Sequence, residues 1–215
     1  MPAQPKIVDA IKKAKETGEK RNFTQNVDLT VNLKEIDLTK PENRLTFEVV
    51  LPHGMGKPKK VAVFADGELA REAQEAGSDL VLRREEIGAL GKDRKRAKRI
   101  VGEYHFFIAQ TDLMPLIGKS LGPVLGPRGK MPMPVPPTAH LKPLVERSRR
   151  MVRTHMRDHP TIHMPVGTEK MTDEQLAENI STALDAIEGK LEKGRHQIKS
   201  VLVKTTMGKP VRIGL

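Results

Sequence analysis

Apolar positions in the first 51 residues follow two different periods. Ile7, Ile11 and Ala14 recur at helical spacing between Pro5 and Gly18, which predicts a short amphipathic helix. Val27, Leu29, Val31 and Leu33 then alternate with Asp28, Thr30 and Asn32. Leu45, Phe47, Val49 and Leu51 alternate in the same way. Period two predicts strands with one buried and one wet face. A basic turn, Lys20-Arg21-Asn22, precedes the first strand, and Pro52-His53-Gly54-Met55-Gly56-Lys57-Pro58 reads as a connector after the second.

The texture changes at Val61. Val61-Ala62-Val63-Phe64-Ala65 is apolar without alternation, the pattern of a strand covered on both faces. A short helix from Glu68 to Ala76, a strand over Asp79–Leu82, a charged stretch and a strand over Tyr104–Ala109 follow, with a further helix from Leu141 to Met151. This order predicts a small doubly wound α/β unit. Alternation then returns in Ile162, Met164 and Val166. Thr172-Asp173-Glu174-Gln175 is a capping box. It opens a helix through Leu176, Ile180, Leu184, Ile187 and Leu191, with Gly194 as its stop. Ile198, Val201 and Val203 start a last strand region, Thr205-Thr206-Met207-Gly208 turns, and Val211-Arg212-Ile213 closes it.

The two ends resemble each other more than the middle. The predicted fold class is therefore α/β in two domains. A discontinuous α+β domain, residues 1–54 plus 151–215, is interrupted by an inserted α/β domain, residues 55–150. Insertion is a permitted topology because domain termini often lie close together. Two strand-like connections, near His53–Lys57 and Arg149–Arg150, form a hinge, with Gly54 and Gly56 absorbing the dihedral change.

Charge points to the partner. The 215 residues carry 38 Lys+Arg against 27 Asp+Glu, a net +11, which favours a polyanion, most commonly nucleic acid. Two stretches concentrate the excess: Arg83–Arg99 and Lys142–Arg157 each have net +5. A run of like charge is usually a solvated face, yet two of one sign on a basic chain favour phosphate contacts. Aromatic residues are 3% of the chain, which can barely supply the stacking platform that single-stranded RNA requires. Hydroxyls and backbone amides at the Thr205–Gly208 turn suit the shallow groove of folded RNA instead.

Cysteine is absent, which excludes disulfides, thiolate metal sites and thiol nucleophiles. No apolar run approaches the roughly 18 residues of a membrane span, and Met1-Pro2-Ala3-Gln4-Pro5 lacks a signal-peptide core. A soluble cytoplasmic protein is the expectation. His155, His159 and His163 are spaced four apart, but Pro160 breaks any helix that would align them on a metal, so a wet or RNA-facing strand is the better reading. Gly118-Lys119-Ser120 imitates the end of a phosphate-binding loop, but Leu113 stands where that loop needs glycine, leaving a helix end with small residues. Neither a metal nor a cofactor is expected. An enzyme on the inserted unit, such as a nucleotide-dependent transferase, lacks both phosphate-binding glycine motifs. A DNA-binding repressor lacks a helix-turn-helix pattern. Residues 121–137, interrupted repeatedly by Pro and Gly, read either as a disordered linker or as a functional loop, without a regular element.

That stretch also carries a resemblance. Leu121-Gly122-Pro123-x-Leu125-Gly126-Pro127-Arg128-Gly129-Lys130-Met131-Pro132 resembles the signature of the ribosomal protein L-one family, the protein of the mobile large-subunit stalk, in its archaeal form. Asn22-Phe23, Leu51-Pro52-His53-Gly54 and Thr205-Thr206-Met207-Gly208 with Val211-Arg212-Ile213 match as well. The resemblance implies a discontinuous first domain, an inserted Rossmann-like second domain, and no catalysis. It implies RNA contacts from Phe23, Thr24, Ser200, Thr206, Met207 and Gly208, with Thr205 in the same turn. Lys209 stands where the family often has proline, and adds a candidate phosphate contact. The implied partners are large-subunit ribosomal RNA, transfer RNA leaving the exit site, and the protein's own messenger. The free protein is expected to be a monomer, and the bound one a ribosome component. The hinge residues are Gly54, Gly56, Arg149 and Arg150.

Overall fold

A computed structural model describes residues 4–18, 21–36, 45–156 and 159–214. Met1–Ala3, Lys20 and Arg157 of the segments above lie outside the described residues. The chain divides into two compact units, residues 1–57 with 150–215, and residues 58–149. In chain order the elements are α1 (Gln4–Thr17), β1 (Asn26–Leu33), β2 (Thr46–Val50), β3 (Val61–Phe64), α2 (Gly67–Glu75) and β4 (Leu80–Leu82). Then come α3 (Arg84–Lys92), α4 (Arg94–Glu103), β5 (Phe106–Gln110), α5 (Met114–Leu125), β6 (Met133–Val135) and α6 (Leu141–Arg150). The last are β7 (Met151–His155), β8 (Thr161–Thr168), α7 (Asp173–Glu188), β9 (Ile198–Thr205) and β10 (Val211–Ile213).

In the first unit, four strands form an antiparallel sheet in the order β10-β9-β1-β8. Every second residue of β1 is buried, as period two requires. Val27, Leu29 and Val31 join Val201 and Val203 of β9 in one core with Ile7 and Ile11 of α1 and Leu176 and Ile180 of α7. The two helices therefore cover one face. The other face, carrying Asp28, Thr30 and Asn32, stays open. Lys15 ties the helices together by donating to Asp173 Oδ1 (2.6 Å) and to the Met171 carbonyl (2.8 Å). The capping box forms as expected, with Thr172 and Gln175 exchanging hydrogen bonds. Its helix stops at Glu188, however, short of Leu191 and Gly194. Gly194 takes φ +53° and opens a single 3-10 turn, Gly194–Gln197, which aims the chain into β9.

The first unit also holds a two-stranded sheet that pairs β2 with β7. Periodicity did not single out β7, because its burial is irregular and includes Thr154. Neither crossing into the second unit is strand-like. Residues 52–57 form turns in which Gly54 (φ +63°) and Gly56 (φ +69°) sit in the left-handed region. Asn179, fully buried on α7, donates to the carbonyls of Gly54 (2.9 Å) and Val166 (2.8 Å) and accepts from His53 N–H (3.1 Å). A Cβ on Gly56 would lie 2.6 Å from Thr168 Oγ1. Both glycines are thus contacted from within the first unit, Gly54 by Asn179 and Gly56 by Thr168 and Met171. At the other crossing α6 runs straight into β7, and Arg149 donates to the Gly77 carbonyl (2.6 Å).

The second unit is a parallel sheet, β4-β3-β5-β6. Its central strands β3 and β5 are buried up to the half-buried Gln110 that ends β5, and Phe64 stacks on Phe107 with centroids 5.8 Å apart. The Gly/Pro stretch, read from sequence without a regular element, contains two. Helix α5 continues through Pro123 at the cost of the bond its N–H would have given the Lys119 carbonyl, because Leu121, Val124 and Leu125 are buried around it. Strand β6 contains Pro134 because it is a sheet edge, where a missing donor strands no partner. Between them, Lys130 Nζ donates to the carbonyls of Val101 and Tyr104, both at 2.7 Å, and Arg128 to that of Lys98 (3.1 Å). The loop's cations therefore cap the C-terminal end of α4. Gly118-Lys119-Ser120 lies inside α5, so it is neither a phosphate loop nor a helix end.

Candidate nucleic-acid interface

The open face of the first unit's sheet is a polar grid. Antiparallel register sets Asp28 opposite Lys204, Thr30 opposite Leu202 and His163, and Asn32 opposite Ser200 and Thr161. Neighbours hydrogen-bond across the strands: Thr30 Oγ1 with His163 Nδ1 (3.1 Å), Asn32 Nδ2 to Ser200 Oγ (2.9 Å) and Thr161 Oγ1 to Asn32 Oδ1 (3.2 Å). His163 is thus a sheet-face residue. His155 lies on β7, its Nδ1 3.3 Å from Thr46 Oγ1. No group of metal-binding side chains occurs among the described residues.

At the end of this face, two distant pieces of chain meet. Buried Gln25 accepts from Met207 N–H through its side chain (3.1 Å) and exchanges hydrogen bonds with Glu169. Thr206 N–H donates to the Asn26 carbonyl (3.0 Å), and Thr206 Oγ1 both accepts from Asn26 N–H (3.0 Å) and donates to its carbonyl (3.3 Å). Lys57 Nζ donates to the Thr24 carbonyl (3.0 Å). These bonds hold Phe23-Thr24 beside the turn. Phe23 is 51% exposed and Met207 59%. Lys209 is exposed, and Gly208 and Thr24 are half-buried.

Two expected contacts fall elsewhere. Thr205 is buried, 2% exposed, because β9 turns it to the core side that Val201 and Val203 share. Its hydroxyl sits under the turn: a Cβ on Gly208 would come within 2.2 Å of Oγ1, and one on Gly18 within 2.8 Å. Thr205 therefore supports the loop from beneath. Ser200 lies six residues up β9, about 20 Å from Thr206 at strand rise, at the far end of the grid beside Asn32. Gln25, Asn26, Lys57 and Glu169 went unnoticed in the sequence, which carries no sign of partners 31 to 182 residues away. The alternating Asp28, Thr30 and Asn32 were the one available signal of the open face.

Burial raises the Asp28 carboxyl above the ordinary aspartate range, with Lys204 and His163 pulling the other way. A raised folded-state value favours the fold only where the group is protonated. That contribution is complete below the ordinary value of 3.8 and lost as pH rises through the raised one. At neutral pH the charge opposes folding. Asp28→Asn is expected to raise the melting temperature at pH 7, with the gain shrinking away near pH 3, as thermal melts at the two pH values will show.

Together these features define a basic α/β protein of two units with an open polar sheet face and an exposed turn, a surface suited to a polyanion. The chain belongs to the ribosomal protein L1p/L10e family, whose model matches residues 11–209. It is 54% identical to the large ribosomal subunit protein uL1 of Methanothermobacter thermautotrophicus, over 98% of this chain and 99% of that one. The uL1 proteins of Methanothermococcus thermolithotrophicus (55%, covering 96% and 97%) and Pyrococcus horikoshii (54%, covering 97% and 95%) are similar to it at the same level.

Proposed function

We propose that this chain is a structural, non-catalytic constituent of the large ribosomal subunit in the cytoplasm. In this reading a domain of residues 1–54 plus 151–215 grips a folded region of large-subunit ribosomal RNA. Family membership and the names of the relatives support the partner. The observation that carries the site is that Phe23 and Met207, two of the three exposed large hydrophobics among the described residues, lie close in sequence to the bonded Asn26 and Thr206. Exposed apolar side chains beside hydroxyls and backbone amides suit contacts with folded RNA. Phe23 and Met207 pack on ribose and base, Thr24, Thr206 and Gly208 supply hydroxyl and backbone contacts, Lys209 meets phosphate, and Ser200 extends the contact along the face.

The Rossmann-like α/β domain, residues 55–150, is an insertion reached through Gly54–Gly56 and Arg149–Arg150, about which it swings. With the first domain anchored, the second follows transfer RNA out of the exit site and assists its release. The same surface recognises a mimic of the ribosomal site in the protein's own messenger and represses translation. The free protein is a monomer and needs neither cofactor nor metal.

A chain joining 1–54 to 151–215 through a short linker is expected to bind a large-subunit ribosomal RNA fragment within about tenfold of the full chain, a loss of under about 1.4 kcal/mol. Filter binding measures this, with circular dichroism confirming the fold. A folded chain that no longer binds overturns the assignment.

A further inference from the structure

The run of charge at Arg83–Arg99 has no place in the sheet-face site, since the second unit carries it. It folds as α3 and α4. On α4, Ala97 and Val101 face the core, and Arg94, Lys95, Arg96, Lys98 and Arg99 are all exposed. No carboxylate pairs with any of the five among the described residues. The nearest acid, Asp93, is occupied as the N-cap, accepting from the N–H groups of Lys95 (3.0 Å) and Arg96 (3.1 Å).

This arrangement opposes the stability of the helix. Three cations occupy the first turn, at the positive end of the helix dipole, and no acidic residue follows the cap there. Arg94 and Lys98, and Lys95 and Arg99, are like charges at i,i+4. Besides the Asp93 cap, the Gly/Pro loop secures the helix: Lys130 bonds the carbonyls of Val101 and Tyr104 at its far end, and Arg128 that of Lys98 at mid-length. A bound polyanion would relieve every one of these repulsions. None of the large hydrophobics exposed among the described residues lies on α4, so the face offers no apolar anchor for a protein partner. No aromatic ring on it can stack an unpaired base either.

We propose that the exposed face of α4 is a second RNA-binding surface, on the inserted unit, which holds the phosphates of double-helical RNA without reading sequence. The proposal rests on reading the chain as an RNA-binding protein. The Arg128-Gly129-Lys130 segment then serves to orient this helix.

The test uses the full chain with Arg94, Lys95, Arg96 and Arg99 all replaced by Gln. The probe is a 20-base-pair RNA duplex lacking the ribosomal site, with affinity measured against salt. Each phosphate contact contributes about 0.9 to the slope of log affinity against log salt, as calibrated on duplex DNA. The variant should flatten that slope by about 2–3 and weaken duplex binding at least about tenfold at low salt. Its melting temperature should hold or rise, because repulsion is relieved; a run with only a structural role would melt lower. Thr206→Val should show the converse pattern, losing the ribosomal fragment and keeping the duplex, so failure of the sheet-face site reads out separately. An unchanged duplex slope overturns the proposal. So does equal displacement of the duplex by a polyglutamate peptide of matched charge, which would assign the face to polyanions in general.

Discussion

Thr206→Val is expected to weaken binding of a large-subunit ribosomal RNA fragment about 5- to 150-fold, the equivalent of about 1–3 kcal/mol for stranding a buried polar partner. The reason is in the junction. Thr206 Oγ1 already accepts from Asn26 N–H and donates to the Asn26 carbonyl, so it offers one remaining lone pair and a fixed direction. Valine keeps the shape and removes both. From the sequence alone the variant would be expected to fold with unchanged stability. With the hydroxyl bridging β1 to the turn, a loss of about 1 kcal/mol is expected as well. Thr206→Ser separates the two effects, because it keeps the hydroxyl and loses one methyl; it should bind within about threefold of wild type, under about 1 kcal/mol. The salt slope of Thr206→Val should match wild type, since no cation is removed. Titrations at several salt concentrations, with urea unfolding alongside, give both numbers. Wild-type affinity in the valine variant would remove Thr206 from the interface.

Asn179→Leu should produce the largest loss of stability, at least about 3 kcal/mol. Leucine matches the shape but leaves two carbonyls and one N–H without partners, at about 1–3 kcal/mol each. Against a typical stability of about 5–15 kcal/mol, this is a large fraction. The damage should concentrate at residues 53–54, because two of the three bonds fix His53 and Gly54. Urea unfolding measures the total, and amide exchange at His53, whose N–H bonds Asn179, locates it. A change below about 1 kcal/mol would mean that solvent replaces these partners.

The Asn179 network shows why part of the molecule could not be foreseen. An asparagine among Leu176, Ile180 and Leu184 breaks a helical apolar stripe only weakly, and nothing local says that it faces a loop 125 residues away. Gln25 is the same case, tied to Met207 across 182 positions. The face of Thr205 was misjudged for a related reason: whether the strand phase of β9 persists through Thr205 depends on its pairing with β1. Proline misled differently. At a sheet edge the lost N–H strands no partner, and near the end of α5 the burial of neighbouring side chains offsets one lost bond; both depend on what packs there.

Local chemistry determined the rest. The amphipathic spacing of α1, the alternation of β1, the apolar run of β3 and the Thr172 capping box were legible because their energetics act within a few residues. The basic excess and the scarcity of aromatic rings, both properties of composition, already pointed to folded RNA. Tertiary structure alone decided which polar residues share the open sheet face, that Thr206 and not Thr205 stands at its end, and that the Gly/Pro loop spends its cations on α4. Each of those outcomes is a long-range pairing, set by which surfaces bury each other, and no window of sequence contains both partners.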